Sequence, residues 1–240
     1  MACEQFSDVQ LANAGAKVPK CLAAFAELLA RMDAVATCFW CCLGGDHRVE
    51  YAAGRLVSSA RASFTLLRRG FYDESFNLTR SMGELANLFF LFAQDRPSFD
   101  RWLTLDDGAR RREFSPVKVR LAIEAKGLPI PIDEERYSSL SEVATHVGPH
   151  TRPNVHVPDQ PPKLGGYFDL ASSIAALNEL AGAFAVASFS IAQVMKLPEE
   201  RKREVMVCAR DLLRSVGGVS LVALRTSKVG VAEKGSSNTI

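Results

Sequence analysis

Leu78-Thr-Arg-Ser-Met82-Gly-Glu-Leu85-Ala-Asn-Leu-Phe89-Phe-Leu-Phe92 is the stretch that decides the fold class. Its apolar residues at 78, 82, 85, 89 and 92 are spaced four, three, four and three apart. That repeat lays one continuous stripe down an α-helix. Leu88, Phe90 and Leu91 add apolar surface on other faces, so the second half is predicted to be buried all round and the segment to be the central helix. Arg80 and Glu84 fall roughly opposite the stripe, at the i, i+4 spacing that lets a guanidinium and a carboxylate pair.

The same periodicity extends outward. Val49, Ala53, Leu56, Ala60, Phe64 and Leu67 repeat it upstream until Gly70, a natural helix stop. Lys20 to Leu43 forms a long amphipathic stretch closed by Gly44-Gly45, and Ser115-Pro116 supplies an N-cap and first-turn pair for a short helix ending near Gly127. Asp133 to His146 opens with the acidic cluster Asp133, Glu134 and Glu135, which favours a helix N-terminus. Phe168 to Met195 and Pro198 to Val216 read as a last helical hairpin joined at Leu197-Pro198. No long alternating β-branched run is present, and only Val219 to Leu224 suggests short strands. His146 to Tyr167 holds five prolines and three glycines in 22 residues, which predicts a loop. The expectation is an all-α fold: a single helical bundle over residues 1–225, a long Pro/His-rich loop at 147–167 and a flexible tail at 226–240.

Composition fits this picture. The 240 residues carry 29 basic and 27 acidic side chains, a formal net charge of +2 that gives little long-range attraction for polyanions. With 48% apolar and 23% charged residues the chain matches the soluble globular mixture. The N-terminus carries Glu4 and Asp8 and has no signal-peptide pattern. Cys21 to Leu43 is broken by Glu27, Arg31 and Asp33, and the apolar run from Leu180 to Met195 is shorter than the roughly 20 residues of a membrane span. The expectation is therefore a cytoplasmic protein with no membrane partner. Its six cysteines (Cys3, Cys21, Cys38, Cys41, Cys42 and Cys208) are then thiols. Cys38-Phe-Trp-Cys41-Cys42 contains a CxxC, but no second pair completes a zinc site, and the motif follows a helical pattern where a redox pair would open one.

Three features could carry chemistry. His146, His150 and His156 sit in the Pro-rich segment, at a spacing that is not a metal signature; neither a metal nor a cofactor is expected. Arg110-Arg111-Arg112 and Arg201-Lys202-Arg203 are flanked by acids and read as solvated helix faces. Arg80 and Glu84, if their helix is central, need further polar partners, for which Tyr137, Ser141 and His146 are the candidates.

The succession of a helix, the turn Gly70-Phe-Tyr-Asp-Glu-Ser-Phe76 into an Arg80-x3-Glu84 helix, Tyr137-Ser-Ser-Leu-Ser141-Glu-Val-Ala-Thr-His146, a Pro-rich loop and a long helix resembles the uncharacterised bacterial HEPN-like helical proteins, over roughly Val49 to Met195. The resemblance implies an α-helical bundle, often a homodimer, and in many members a metal-independent endoribonuclease of toxin–antitoxin or phage-defence systems. The family signature is an arginine followed after four to six residues by a histidine. Here the order is Ser141-x4-His146, and serine cannot supply the cation that steadies a phosphorane. An RNase would thus use His146 as general acid/base, with Arg80, Arg136 or Arg152 bringing charge from elsewhere. The alternative is a catalytically inactive binding module, with a structural Arg–Glu–His cluster and a protein in place of RNA as partner.

Overall fold

The computed structural model describes residues 3–36, 47–145 and 165–217. Among them the chain forms ten helices and no strand: α1 (Cys3–Ala12), α2 (Lys17–Ala36), α3 (His47–Arg68), α4 (Tyr72–Gln94), α5 (Arg96–Thr104), α6 (Asp107–Glu113), α7 (Pro116–Ala125), α8 (Glu134–Ala144), α9 (Leu170–Val194) and α10 (Glu199–Ser215). The fold is all-α.

Two helices share the centre. α4 packs most extensively on α9, and α3, α8 and α10 close around the pair. Close packing follows from the α9 sequence, where Ala175, Ala176, Ala181, Gly182, Ala183, Ala185 and Ala187 are all buried and let neighbouring backbones approach. Larger side chains fill the seams between helices. Phe25 of α2 meets Phe64 of α3 and Phe184 of α9, with ring centroids 5.3 Å away in both cases. α2 and α10 run antiparallel, since Cys21 hydrogen-bonds Ser215 and Arg31 pairs with Glu204.

The buried face of α4 is rotated from the stripe expected. Met82, Phe89 and Phe92 are buried, but Leu78 and Leu85 are only half-buried, while Ser75, Thr79, Gly83 and Ala86 face inward. Ser63 of α3 explains the polar pair: its Oγ lies 2.8 Å from Ser75 Oγ and 3.3 Å from Thr79 Oγ1. Hydroxyls that satisfy one another can occupy a tight seam without a desolvation penalty.

The starts of α4 and α9 meet. Buried Tyr72 has its Oη 2.8 Å from Ser173 Oγ and accepts from the Asp169 N–H at 3.0 Å. Gly70 (φ +78) sits against the backbone of Tyr167, and a Cβ on Gly166 would fall 1.8 Å from the Arg69 carbonyl oxygen. Both glycines are required by backbone contact rather than by flexibility.

Several expected boundaries move. α9 begins at Leu170, so at 25 residues it is long enough to cross a bilayer, unlike the shorter run from Leu180; 83% of its most apolar window is buried against other helices. Ser115 stands at the N-cap of α7, but its hydroxyl makes no capping bond. α1, α5 and α6 were not expected, although Asp106 caps α6 by accepting from the Ala109 N–H and a proline opens α5. The candidate strands at Val219 to Leu224, the tail at 226–240, most of the Pro/His-rich loop and the Cys38–Cys42 cluster lie outside the described residues.

Candidate functional site: a polar cluster and its cleft on helix α4

The site begins with the docking of α8 on α4. Asn87, buried on α4, clamps the backbone of Ile132 from both sides: its Nδ2 donates to the Ile132 carbonyl at 2.8 Å, and its Oδ1 accepts from the Ile132 N–H at 2.9 Å. Ile132 itself packs over Gly83, where a Cβ would touch it at 3.4 Å. One residue later Asp133 caps α8 by accepting from the Arg136 N–H at 2.9 Å. These bonds fix where the first turns of α8 project their side chains.

Tyr137 and Ser141, one helical turn apart, thereby face Arg80 and Glu84. Arg80 Nε donates to Ser141 Oγ at 2.8 Å, and Ser141 in turn donates to the Tyr137 carbonyl at 2.8 Å. Arg80 Nη2 donates to Tyr137 Oη and lies 3.0 Å from Glu84 Oε1. Tyr137 Oη passes the chain on, donating to the same Glu84 oxygen at 2.9 Å. The guanidinium also sits 4.6 Å from the centre of the Tyr137 ring, and a second one, Arg120 of α7, sits 4.7 Å from it. Arg120 is buried and pairs with Glu134, and its Nη1 has no partner among the described residues. Burial, followed by the Glu84 carboxylate that accepts its O–H, raises the Tyr137 phenol above its ordinary pKa against the opposing pull of Arg80 and Arg120. Tyr137 is thus a neutral donor across the whole physiological range.

A cleft of about 240 Å³ opens beside this cluster between α3, α4, α7 and α8. Glu84 and Tyr137 form its polar end, with Arg55 of α3 also lining it, and Leu85, Leu88 and Phe114 among its apolar residues. Leu85 therefore belongs to the cleft wall rather than to the innermost core.

Of the residues singled out in the sequence, Arg80, Glu84 and Ser141 come together, with Tyr137 as the link. His146 and Arg152 lie outside the described residues, as do His150 and His156. Arg136 points away from the cluster: its Nε donates to Glu179 of α9 at 2.5 Å, in room left by Gly182. Half of the basic residues in the two runs are paired. Arg110 donates to the carbonyls of Trp102 and Leu105 and pairs with Asp107, while Arg201 and Lys202 pair with Glu204 and Glu199. Cys21 is buried, Cys3 and Cys208 are half-buried, and all three are free thiols. No group of three metal-ligating side chains occurs among the described residues. Asn87, Arg120 and Arg55 escaped the sequence analysis. A lone amide inside the apolar run from Leu85 to Phe92 is the one signal that could have flagged Asn87.

Comparison with protein families, with curated proteins and with solved structures finds no match to this chain.

Proposed function

We propose that the protein is a HEPN-like helical binding module in which Arg80, Glu84, Tyr137 and Ser141 form a structural cluster and not a phosphate-cleaving site. The observation that carries this reading is the engagement of Arg80 by the cluster: Nε donates to Ser141, and Nη2 is shared by Tyr137 and Glu84. A guanidinium held by a carboxylate at 3.0 Å has its charge locally offset, which weakens its pull on an incoming phosphodiester. RNA incubated with the protein in EDTA is expected to stay intact, while Arg80→Ala lowers the melting temperature. EDTA-resistant cleavage leaving 2′,3′-cyclic phosphate ends, and lost in Arg80→Ala, overturns the reading.

One observation favours the second reading, a metal-independent endoribonuclease. Ser141 stands where the family signature has its arginine, and Arg80 supplies a guanidinium 2.8 Å from that serine. In that case His146 carries the general acid/base step, Arg80 steadies the phosphorane, and His146→Ala abolishes cleavage. A homodimer, as in the family the sequence resembles, is proposed under both readings, with a protein partner under the first and RNA under the second.

A further inference from the structure

The cleft beside the cluster holds two opposite charges that do not meet. Arg55 is exposed on α3, lines the cleft, and makes neither an ion pair nor a hydrogen bond among the described residues. Glu84, on the adjacent helix, engages Arg80 and Tyr137 through Oε1, and no hydrogen bond to its Oε2 occurs among the described residues. A cation and a carboxylate that line one cleft without an ion pair between them are complementary to a ligand carrying both charges. Between them, Leu85, Leu88 and Phe114 offer an apolar wall. The volume of about 240 Å³ lies below the roughly 300 Å³ at which drug-sized pockets begin, which limits the ligand to a small one.

From this we infer that the cleft binds a small zwitterion with one aromatic side chain, of the class of an aromatic α-amino acid. Its carboxylate lies on Arg55, its ammonium on Glu84 Oε2, and its ring on Leu85, Leu88 and Phe114. The guanidinium supplies forked donors suited to a carboxylate. Glu84 is held in place by Tyr137 and Arg80, so it is positioned before the ligand arrives. The inference rests on the reading of the cluster as a structural one, because a scaffold that stays intact is what presents Oε2.

Calorimetric titration of the full chain with L-phenylalanine, L-tyrosine and L-tryptophan tests it, with 3-phenylpropionate and phenethylamine as analogues that each lack one charge. At least one amino acid is expected to bind, and each analogue of phenylalanine to bind roughly tenfold more weakly or not at all. Arg55 has no partner to lose among the described residues, so Arg55→Ala should keep the wild-type melting temperature. It should weaken the amino acid by roughly tenfold while leaving phenethylamine unchanged. Absence of binding by all three amino acids at millimolar concentration overturns the inference, as does equal affinity in wild type and Arg55→Ala. Phenylpropionate binding as tightly as phenylalanine removes Glu84 from the site and overturns it equally. RNA cleavage is measured on the same protein without these ligands, so failure of the structural-cluster reading is recorded separately from failure of ligand binding.

Discussion

Helix α8 meets the bundle on two sides, and the two contacts are built differently. Toward α9, Arg136 reaches one carboxylate, Glu179, whose side chain is only 3% exposed, while the arginine itself remains 29% exposed. Toward α4, Tyr137 and Ser141 enter a network with Arg80 and Glu84, which are 18% and 35% exposed. The first contact is an ion pair to a deeply buried carboxylate. The second is spread over several hydrogen bonds at the edge of a cleft. Burial of a charge demands a dedicated partner, whereas a half-exposed network tolerates a vacant acceptor because water can serve it.

The largest expected effect comes from breaking the deep contact. Arg136→Ala removes the cation that bonds a buried carboxylate and should lower unfolding stability by about 3 kcal/mol in urea denaturation, the low end for a broken buried pair because the arginine is partly exposed. A loss below about 1 kcal/mol would place this contact with ordinary surface pairs and erase the contrast. Tyr137→Phe deletes the hydroxyl that joins Arg80 to Glu84 and is expected to lose about 2 kcal/mol, since both of its partners are charged.

The same network sets a pH dependence. Burial raises the phenols of Tyr72, Tyr137 and Tyr167 above their ordinary values, with Glu84 adding to the shift at Tyr137. In the unfolded chain a tyrosine ionises near pH 10, so the stabilisation is complete below about pH 10 and is lost as pH rises through the folded values. Denaturation midpoints should therefore fall from pH 9 to pH 11 (on the order of one unit either side of the reference value), and fall less steeply in Tyr137→Phe. An unchanged slope would show that Tyr137 titrates alike in both states.

Smaller effects sharpen the comparison at the helix starts. Asp133→Ala, which uncaps α8 and loosens both of its contacts, should cost about 1 kcal/mol. Ser115→Ala at the start of α7 should change stability by no more than a few tenths of a kcal/mol, because no capping bond is there to lose.

Part of the cluster was legible in the sequence. The i, i+4 spacing of Arg80 and Glu84 within an apolar helix required polar partners, and Tyr137 and Ser141 lay in the segment from Asp133 to His146, read as a helix. Arg120 was not legible, since an arginine between Val119 and Leu121 reads as an ordinary surface residue until α7 is laid beside Tyr137. Arg55 gave no signal either; its interest comes entirely from sharing a cleft with Glu84.

Local periodicity by itself determined that this chain is all helical and where most of its longer helices lie, because amphipathic spacing and Gly/Pro punctuation act within a few residues of each position. Only the tertiary structure decided which face of α4 is innermost. Ser75 and Thr79 count as polar in any one-dimensional pattern, and Ser63, 12 residues before Ser75, is what makes their burial affordable. The same holds for the candidate site. Arg80 and Ser141 are 61 residues apart in the chain, and their contact exists because Asn87 and Asp133 lock α8 onto α4 at one angle.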